Sequence, residues 1–130
     1  MKIIVYDAVK TSAENTCSFL KENVRADDSV QGFSNTEDVI KYVSDYLTDT
    51  AFVCFHDGDA SGLKLVEKLR EINDRINIVF VSDSNQYMQE AFDERISGFL
   101  KRPVTKEDIR REMENLRYHI EEFRKAELGK

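Results

Sequence analysis

The chain has 130 residues, of which 41% are hydrophobic and 34% charged, so it is long enough for one compact domain and too short for two. No apolar run approaches the roughly 20 residues that a membrane-spanning helix requires. No membrane partner is therefore expected. The net charge of −6 is concentrated in the first 60 residues, where 5 Lys or Arg stand against 11 Asp or Glu, and this acidity argues against direct binding of nucleic acid.

Short runs of β-branched, aliphatic and aromatic residues recur along the chain with the length of buried strands. The third run is entirely apolar, which indicates a central strand of a parallel sheet. Five strands are predicted, over residues 2–6, 30–33, 51–55, 76–81 and 98–100.

Between these runs, apolar residues return at helical spacing and polar residues stand where helix N-caps are expected. Thr11 and Glu14 predict a capping box for the first helix, while Asn35 and Thr105 predict caps for the second and the last. The predicted helices have apolar faces over residues 13–24, 39–47, 63–72, 86–94 and 109–123.

Five strands alternating with five helices predict an α/β fold in three layers, with a parallel sheet covered on both faces. Right-handed crossovers leave a small set of doubly wound topologies. In such sheets the functional site lies beyond the carboxyl ends of the strands. This edge is predicted to gather Asp7, residues 54–59, Ser82 with Asp83, and Lys101 with Arg102.

Four segments at or near these strand ends form a recognisable pattern in register: Lys2-Ile3-Ile4-Val5-Tyr6-Asp7, Ser61-Gly62-Leu63-Lys64-Leu65, Ile78-Val79-Phe80-Val81-Ser82 and Gly98-Phe99-Leu100-Lys101-Arg102-Pro103. With these segments the sequence resembles the receiver domains of two-component response regulators, over residues 2–118. The pattern of residues 81–92 is most similar to receivers that precede LytTR-type DNA-binding domains. The resemblance implies a flavodoxin-like, CheY-like (βα)5 fold of sheet order 2-1-3-4-5.

The resemblance also implies a phosphorylation pocket, in which acidic residues after the first strand hold Mg²⁺ and an Asp ending the third strand accepts a phosphoryl group. Asp7 fills the first acidic position, but Ala8 stands at the second. Counted back without a gap from Ser61 and Gly62, the acceptor position is Cys54.

Other positions of the family pattern are kept in part. Ser82 matches the hydroxyl that contacts the phosphate, and Phe99 matches the aromatic residue that changes rotamer on activation. Arg102, with Lys101 beside it, stands where the family has its lysine. Arg102 keeps the positive charge, although a planar guanidinium is not a compact point charge.

With Ala8 at the second acidic position and Cys54 at the acceptor position, the pocket is predicted to lack phosphoryl chemistry at position 54. The chain is therefore not expected to be an enzyme. Mg²⁺ prefers an octahedral shell of oxygen ligands, and a thiol is a soft ligand, so we expect weak or absent Mg²⁺ binding and no other cofactor. Asp57 or Asp59 is the alternative acceptor, for a conventional phosphorelay receiver that controls a DNA-binding output domain. A transition-metal site built from Asp7, His56 and Asp57 is a weaker possibility.

The two cysteines, Cys17 and Cys54, match no metal-ligand spacing and suit a reducing compartment, so a cytoplasmic location is expected. Cys54 has two interpretations. A thiol beside Arg102 could be redox-active, because a nearby cation lowers the pKa of a thiol. A small buried hydrophobic residue is the other interpretation.

The last helix carries apolar residues at alternating spacings of four and three, a heptad-like seam. Its first half is expected to pack on the sheet, and residues 119–130 are expected to extend it as a linker or dimerisation segment beyond a receiver domain of residues 1–118. The sequence therefore predicts an atypical receiver that signals by protein contact, with a kinase, an output domain or a second copy as partner, through its fourth helix, fifth strand and fifth helix. The expected interface residues of the seam are Ile109, Met113, Leu116, Ile120 and Phe123.

Overall fold

A computed structural model describes residues 1–118, which form five strands and five helices in strict alternation. None of the helices in this part of the chain has the length and hydropathy needed to cross a membrane. The strands are β1 (Lys2–Tyr6), β2 (Ser29–Phe33), β3 (Thr50–Cys54), β4 (Asn77–Ser82) and β5 (Gly98–Lys101). The helices are α1 (Lys10–Asn23), α2 (Thr36–Asp45), α3 (Ser61–Ile72), α4 (Met88–Asp93) and α5 (Lys106–Glu114).

All neighbouring strands pair in parallel, in the order β2-β1-β3-β4-β5, so the predicted α/β fold and its sheet order are confirmed. The central strand β3 is buried along its whole length, as its apolar sequence predicted. Its last residue, Cys54, pairs with Val81 of β4, and the amide of Phe55 donates to the Val81 carbonyl at 2.7 Å. The tip of β3 is therefore held in the middle of the carboxyl edge of the sheet.

Two apolar cores lie on opposite faces of the sheet, because successive side chains of a strand point to opposite sides. One core packs under α2, α3 and α4 and receives Ile4 and Val53. The other packs under α1 and α5 and receives Ile3 and Cys54. Cys54 thus points toward α1 and α5.

The helix caps agree with the sequence at two of three positions. The side chain of Asn35 accepts hydrogen bonds from two amides of α2, and Thr105 forms a capping box with Asp108 at the start of α5. The capping box predicted at Thr11 is wrong. Helix α1 begins at Lys10 with Val9 as its N-cap, because the Val9 amide donates to the Asp7 carboxylate and turns the chain earlier.

The end of α5 corrects the predicted seam. The helix stops at Glu114, so Leu116 lies beyond it. Ile109 and Leu116 are both buried, and Met113 packs against the core under α1, so this part of the seam packs within the domain, as predicted for its first half. The predicted extension over residues 119–130, with Ile120 and Phe123, lies outside the described residues.

Gly62 allows α3 to approach the central strand closely. A Cβ atom at this position would lie 2.7 Å from Val53 Cγ1 and 2.8 Å from Phe55 Cε1, both on buried side chains. The loop before α3 contains a second glycine with a different role. Gly58 has a φ of 82°, in the left-handed region, and a Cβ atom there would meet nothing within 4 Å.

Replacing Gly62 by Ala should lower the free energy of unfolding by about 1–3 kcal/mol, because the added methyl group must displace buried side chains of the central strand. At an open helix position the same change would raise stability by up to about 1 kcal/mol. Urea denaturation measures the difference. Gly58→Asn is the control and should lower the free energy of unfolding by clearly less, since asparagine tolerates the left-handed conformation. Equal losses in the two variants would contradict the close-packing argument.

Candidate functional site at the carboxyl edge of the sheet

Asp7 follows β1 directly and is fully buried at the carboxyl edge of the sheet. Its Oδ1 atom accepts hydrogen bonds from the Val9 amide at 2.9 Å and from His56 Nε2 at 2.7 Å. Its Oδ2 atom lies 3.7 Å from Arg102 Nη2. A buried carboxylate requires compensation by opposite charge and hydrogen bonds, and here His56 and Arg102 provide it.

Arg102 lies between two carboxylates and a backbone carbonyl. Its Nη1 atom donates to the Phe55 carbonyl at 2.7 Å and lies 3.3 Å from Asp83 Oδ1. Asp7 Oδ2 and Arg102 Nη2 are buried side-chain atoms without a hydrogen-bond partner among residues 1–118, so their attraction is that of an ion pair at 3.7 Å. The guanidinium therefore joins the ends of β1, β3 and β4 in one polar network.

Cys54 occupies the tip of the central strand but is buried beneath this network. Burial, and then the nearby Asp7 carboxylate, raise the pKa of the Cys54 thiol to about 12, and the Arg102 cation offsets this only in part. The thiol is thus protonated at neutral pH, which favours the interpretation of Cys54 as a small buried hydrophobic residue over a reactive thiol.

The loop after β3 carries the alternative acceptors. Asp57 is exposed, while Asp59 accepts a hydrogen bond from the amide of Ser61, the first residue of α3, at 3.0 Å. Of the three residues weighed as a metal site, the structure brings Asp7 and His56 into contact. Within residues 1–118, no group of three or more His, Cys, Asp or Glu side chains is placed to hold a metal ion.

The remaining predicted positions lie at or near the same edge. Ser82 is buried, and its hydroxyl accepts from the Ser84 amide at 3.3 Å. Lys101 is exposed, and Phe99 is half-buried with its ring 6.2 Å from the ring of Phe80.

Sequence reasoning missed two parts of the network. His56 was considered only as a metal ligand, although its adjacency to the predicted site could have suggested a hydrogen bond with Asp7. The Phe55 carbonyl carries no side-chain signal at all, because any residue supplies this acceptor. Its role follows from the position of the β3 tip beneath Arg102.

Sequence comparison does not assign the chain to a family. No protein-family model matches it, and no curated protein shows significant similarity. Solved structures do match, at low identity and over nearly the whole chain.

Three of these structures are receiver domains. The response regulatory domain of protein mrkE from Klebsiella pneumoniae superposes with a TM-score of 0.73 at 19% identity, over 89% of this chain and 94% of that one. A CheY-like receiver domain from Methylobacillus flagellatus superposes with a TM-score of 0.75 at 19% identity, over 88% of this chain and 96% of that one. A receiver domain protein from Clostridium thermocellum superposes with a TM-score of 0.74 at 18% identity, over 88% of this chain and 91% of that one. The chain therefore has the fold of response regulator receiver domains.

Replacing Arg102 by Ala should lower the free energy of unfolding by about 3 kcal/mol, because the Asp7 carboxylate then stays buried without its cation. Chemical denaturation measures the loss. Arg110→Ala, on the exposed face of α5, is the matched control and should change stability by no more than about 0.5 kcal/mol. Adding Asp7→Asn to Arg102→Ala should recover part of the loss, since it removes the uncompensated charge. Additive losses in the double variant would contradict the ion pair.

Proposed function

We propose that this chain is an atypical receiver domain that transmits signals by protein contact, without phosphorylation at position 54. The observation that carries the proposal is the burial of the Cys54 thiol at the tip of the central strand, beneath the Asp7–Arg102 ion pair. Receiver-like folds place their functional site at this edge. A thiol in this state offers neither an oxygen nucleophile nor a ligand for Mg²⁺.

The polar network also leaves little capacity for Mg²⁺ or phosphate. Phosphoryl transfer depends on positioning and on charge stabilisation, to which Mg²⁺ contributes much. Asp7 already compensates His56 and Arg102, and Ala8 supplies no second carboxylate. Arg102 is itself engaged by Asp83 and by the Phe55 carbonyl. We therefore expect weak or absent Mg²⁺ binding and a site held in one arrangement by its own ion pairs.

Regulation then depends on a partner that prefers one conformation of the domain. The exposed apolar residues of α4 support a contact surface on this helix together with β5 and α5. Phe92 has 80% of its surface exposed and Met88 has 42%. Large exposed apolar side chains that share one helix are a feature of interaction surfaces.

We propose a second copy of the chain as the first partner. A kinase and an output domain, including one of the LytTR type, are the further partners that we propose. We also propose a cytoplasmic location for the protein, since Cys17 and Cys54 are both free and buried. Direct contact with nucleic acid forms no part of the proposed function, because the first half of the chain is acidic.

Incubation with Mg²⁺ and acetyl phosphate should leave residues 54–59 without a labile phosphoryl group, because the pocket lacks its acceptor and one of its acids. Intact-mass and peptide mass spectrometry detect the modification. A double variant, Ala8→Asp with Cys54→Asp, restores both carboxylates and should gain the label. Labelling of the unaltered chain that disappears in an Asp57→Asn, Asp59→Asn variant would establish the conventional receiver mechanism in place of the proposed one.

Replacing Phe92 by Ser should weaken self-association by at least about tenfold, because large buried aromatic side chains supply much of the binding energy of an interface. Sedimentation equilibrium over a range of concentrations measures the dimer dissociation constant. Leu47→Ser is the control, as Leu47 is 66% exposed but lies on the loop after α2. A monomer at all concentrations would exclude a second copy as the partner, and an equal effect of Leu47→Ser would place the interface elsewhere.

A further inference from the structure

The segment that follows α5, residues 115–118, is fixed to the amino-terminal edge of the sheet, and we refer to it as the C-terminal strap. Asn77, the first residue of β4, is fully buried and bonds both backbone polar groups of Tyr118. Its Oδ1 atom accepts from the Tyr118 amide at 2.7 Å, and its Nδ2 atom donates to the Tyr118 carbonyl at 2.9 Å. Leu116 is buried as well. The strap is thus bonded to the domain by backbone and side chain.

The α4–β5 loop, residues 94–97, shares this attachment through Ser97. The Ser97 hydroxyl donates to Asn77 Oδ1 at 3.1 Å and accepts from the Arg117 amide at 3.2 Å. The Ser97 amide in turn donates to the Ile78 carbonyl of β4 at 2.8 Å. One hydroxyl group therefore joins the loop, the strap and the start of β4.

Arg70, near the end of α3, forms a second connection between the loop and the strap. Its Nη2 atom donates to the carbonyls of Glu94 at 3.3 Å and Arg95 at 3.1 Å, and its Nη1 atom donates to the Ile76 carbonyl. Its guanidinium carbon lies 5.7 Å from the centre of the Tyr118 ring, within the range of a cation–π contact. The ring of Tyr118 and the carbonyls of the loop therefore hold the same cation.

The loop itself has a demanding conformation. Arg95 has a φ of 52°, in the left-handed region that residues other than glycine seldom adopt. Such a conformation persists only where the surrounding contacts fix it. The Arg95 carbonyl is one of the acceptors of Arg70, so a change at Arg70 acts directly on the most constrained residue of the loop.

We propose that the C-terminal strap and the α4–β5 loop open and close as one unit, with Arg70 and Ser97 as the connection between them. Because the loop joins α4 to β5, a partner that rearranges it also loosens or tightens the backbone from which the chain continues past Tyr118. The coupling uses residues of the domain alone. The coupling therefore depends neither on the phosphorylation state of the pocket nor on the identity of the partner.

Hydrogen–deuterium exchange on the full chain tests the coupling. Tyr118→Leu removes the aromatic ring, and with it the contact to Arg70, but keeps the backbone pair with Asn77. We expect this variant to raise exchange at the amides of residues 95–97 by about threefold or more, although none of these amides bonds to Tyr118. Arg70→Gln should raise exchange in both the loop and the strap. Arg110→Gln, which changes an exposed arginine of α5, should alter neither.

Exchange at the amides of β3 distinguishes local from global opening, since this buried strand exchanges only when the whole domain opens. Unchanged exchange in β3 with faster exchange in both segments supports the coupling. Faster exchange of residues 115–118 in Tyr118→Leu with no change at residues 95–97 overturns it. Ser97→Ala is a second variant, which removes the hydroxyl that connects the loop to the strap. An effect on exchange that is confined to the strap in this variant overturns the proposal in the same way.

Discussion

The buried carboxylate of Asp7 is the constraint on which the arrangement of the carboxyl edge depends. An ionised group without contact to water must be compensated by charge or hydrogen bonds, and the structure supplies both from three neighbouring chain segments. Arg102 meets this need only by lying across the tip of β3, where it also binds the Phe55 carbonyl. One electrostatic requirement thus fixes the loops after β1, β3 and β5 relative to one another.

The same requirement explains the state of Cys54. The sulfur lies below the ion pair, where burial and the Asp7 charge both disfavour a thiolate. The tip of the central strand therefore carries a buried thiol beneath an ion pair that the structure forms from its own residues.

The opposite edge of the sheet has a different character. There the contacts of Asn77, Ser97 and Arg70 are made mainly to backbone groups of the strap and of the α4–β5 loop. The bonds between Asn77, Ser97 and the backbone join neutral groups and contribute about 1 kcal/mol each, so a few of them can break and re-form at moderate cost, unlike a buried ion pair. This contrast supports the opening that we propose for the strap and the α4–β5 loop at the amino-terminal edge.

The sequence alone determined the architecture, because alternating apolar strands and amphipathic helices permit few other arrangements than a parallel sheet covered on both faces. It also determined which residues meet at the carboxyl edge, since parallel strands all end on one side. It did not determine the contacts among them, such as Arg102 with the Phe55 carbonyl, because backbone acceptors leave no trace in composition or spacing. The end of α5 at Glu114 was likewise decided by tertiary structure: the periodicity of Ile109, Met113 and Leu116 fits a longer helix, but Asn77 and Ser97 bind the backbone at Arg117 and Tyr118 and draw the chain onto the sheet.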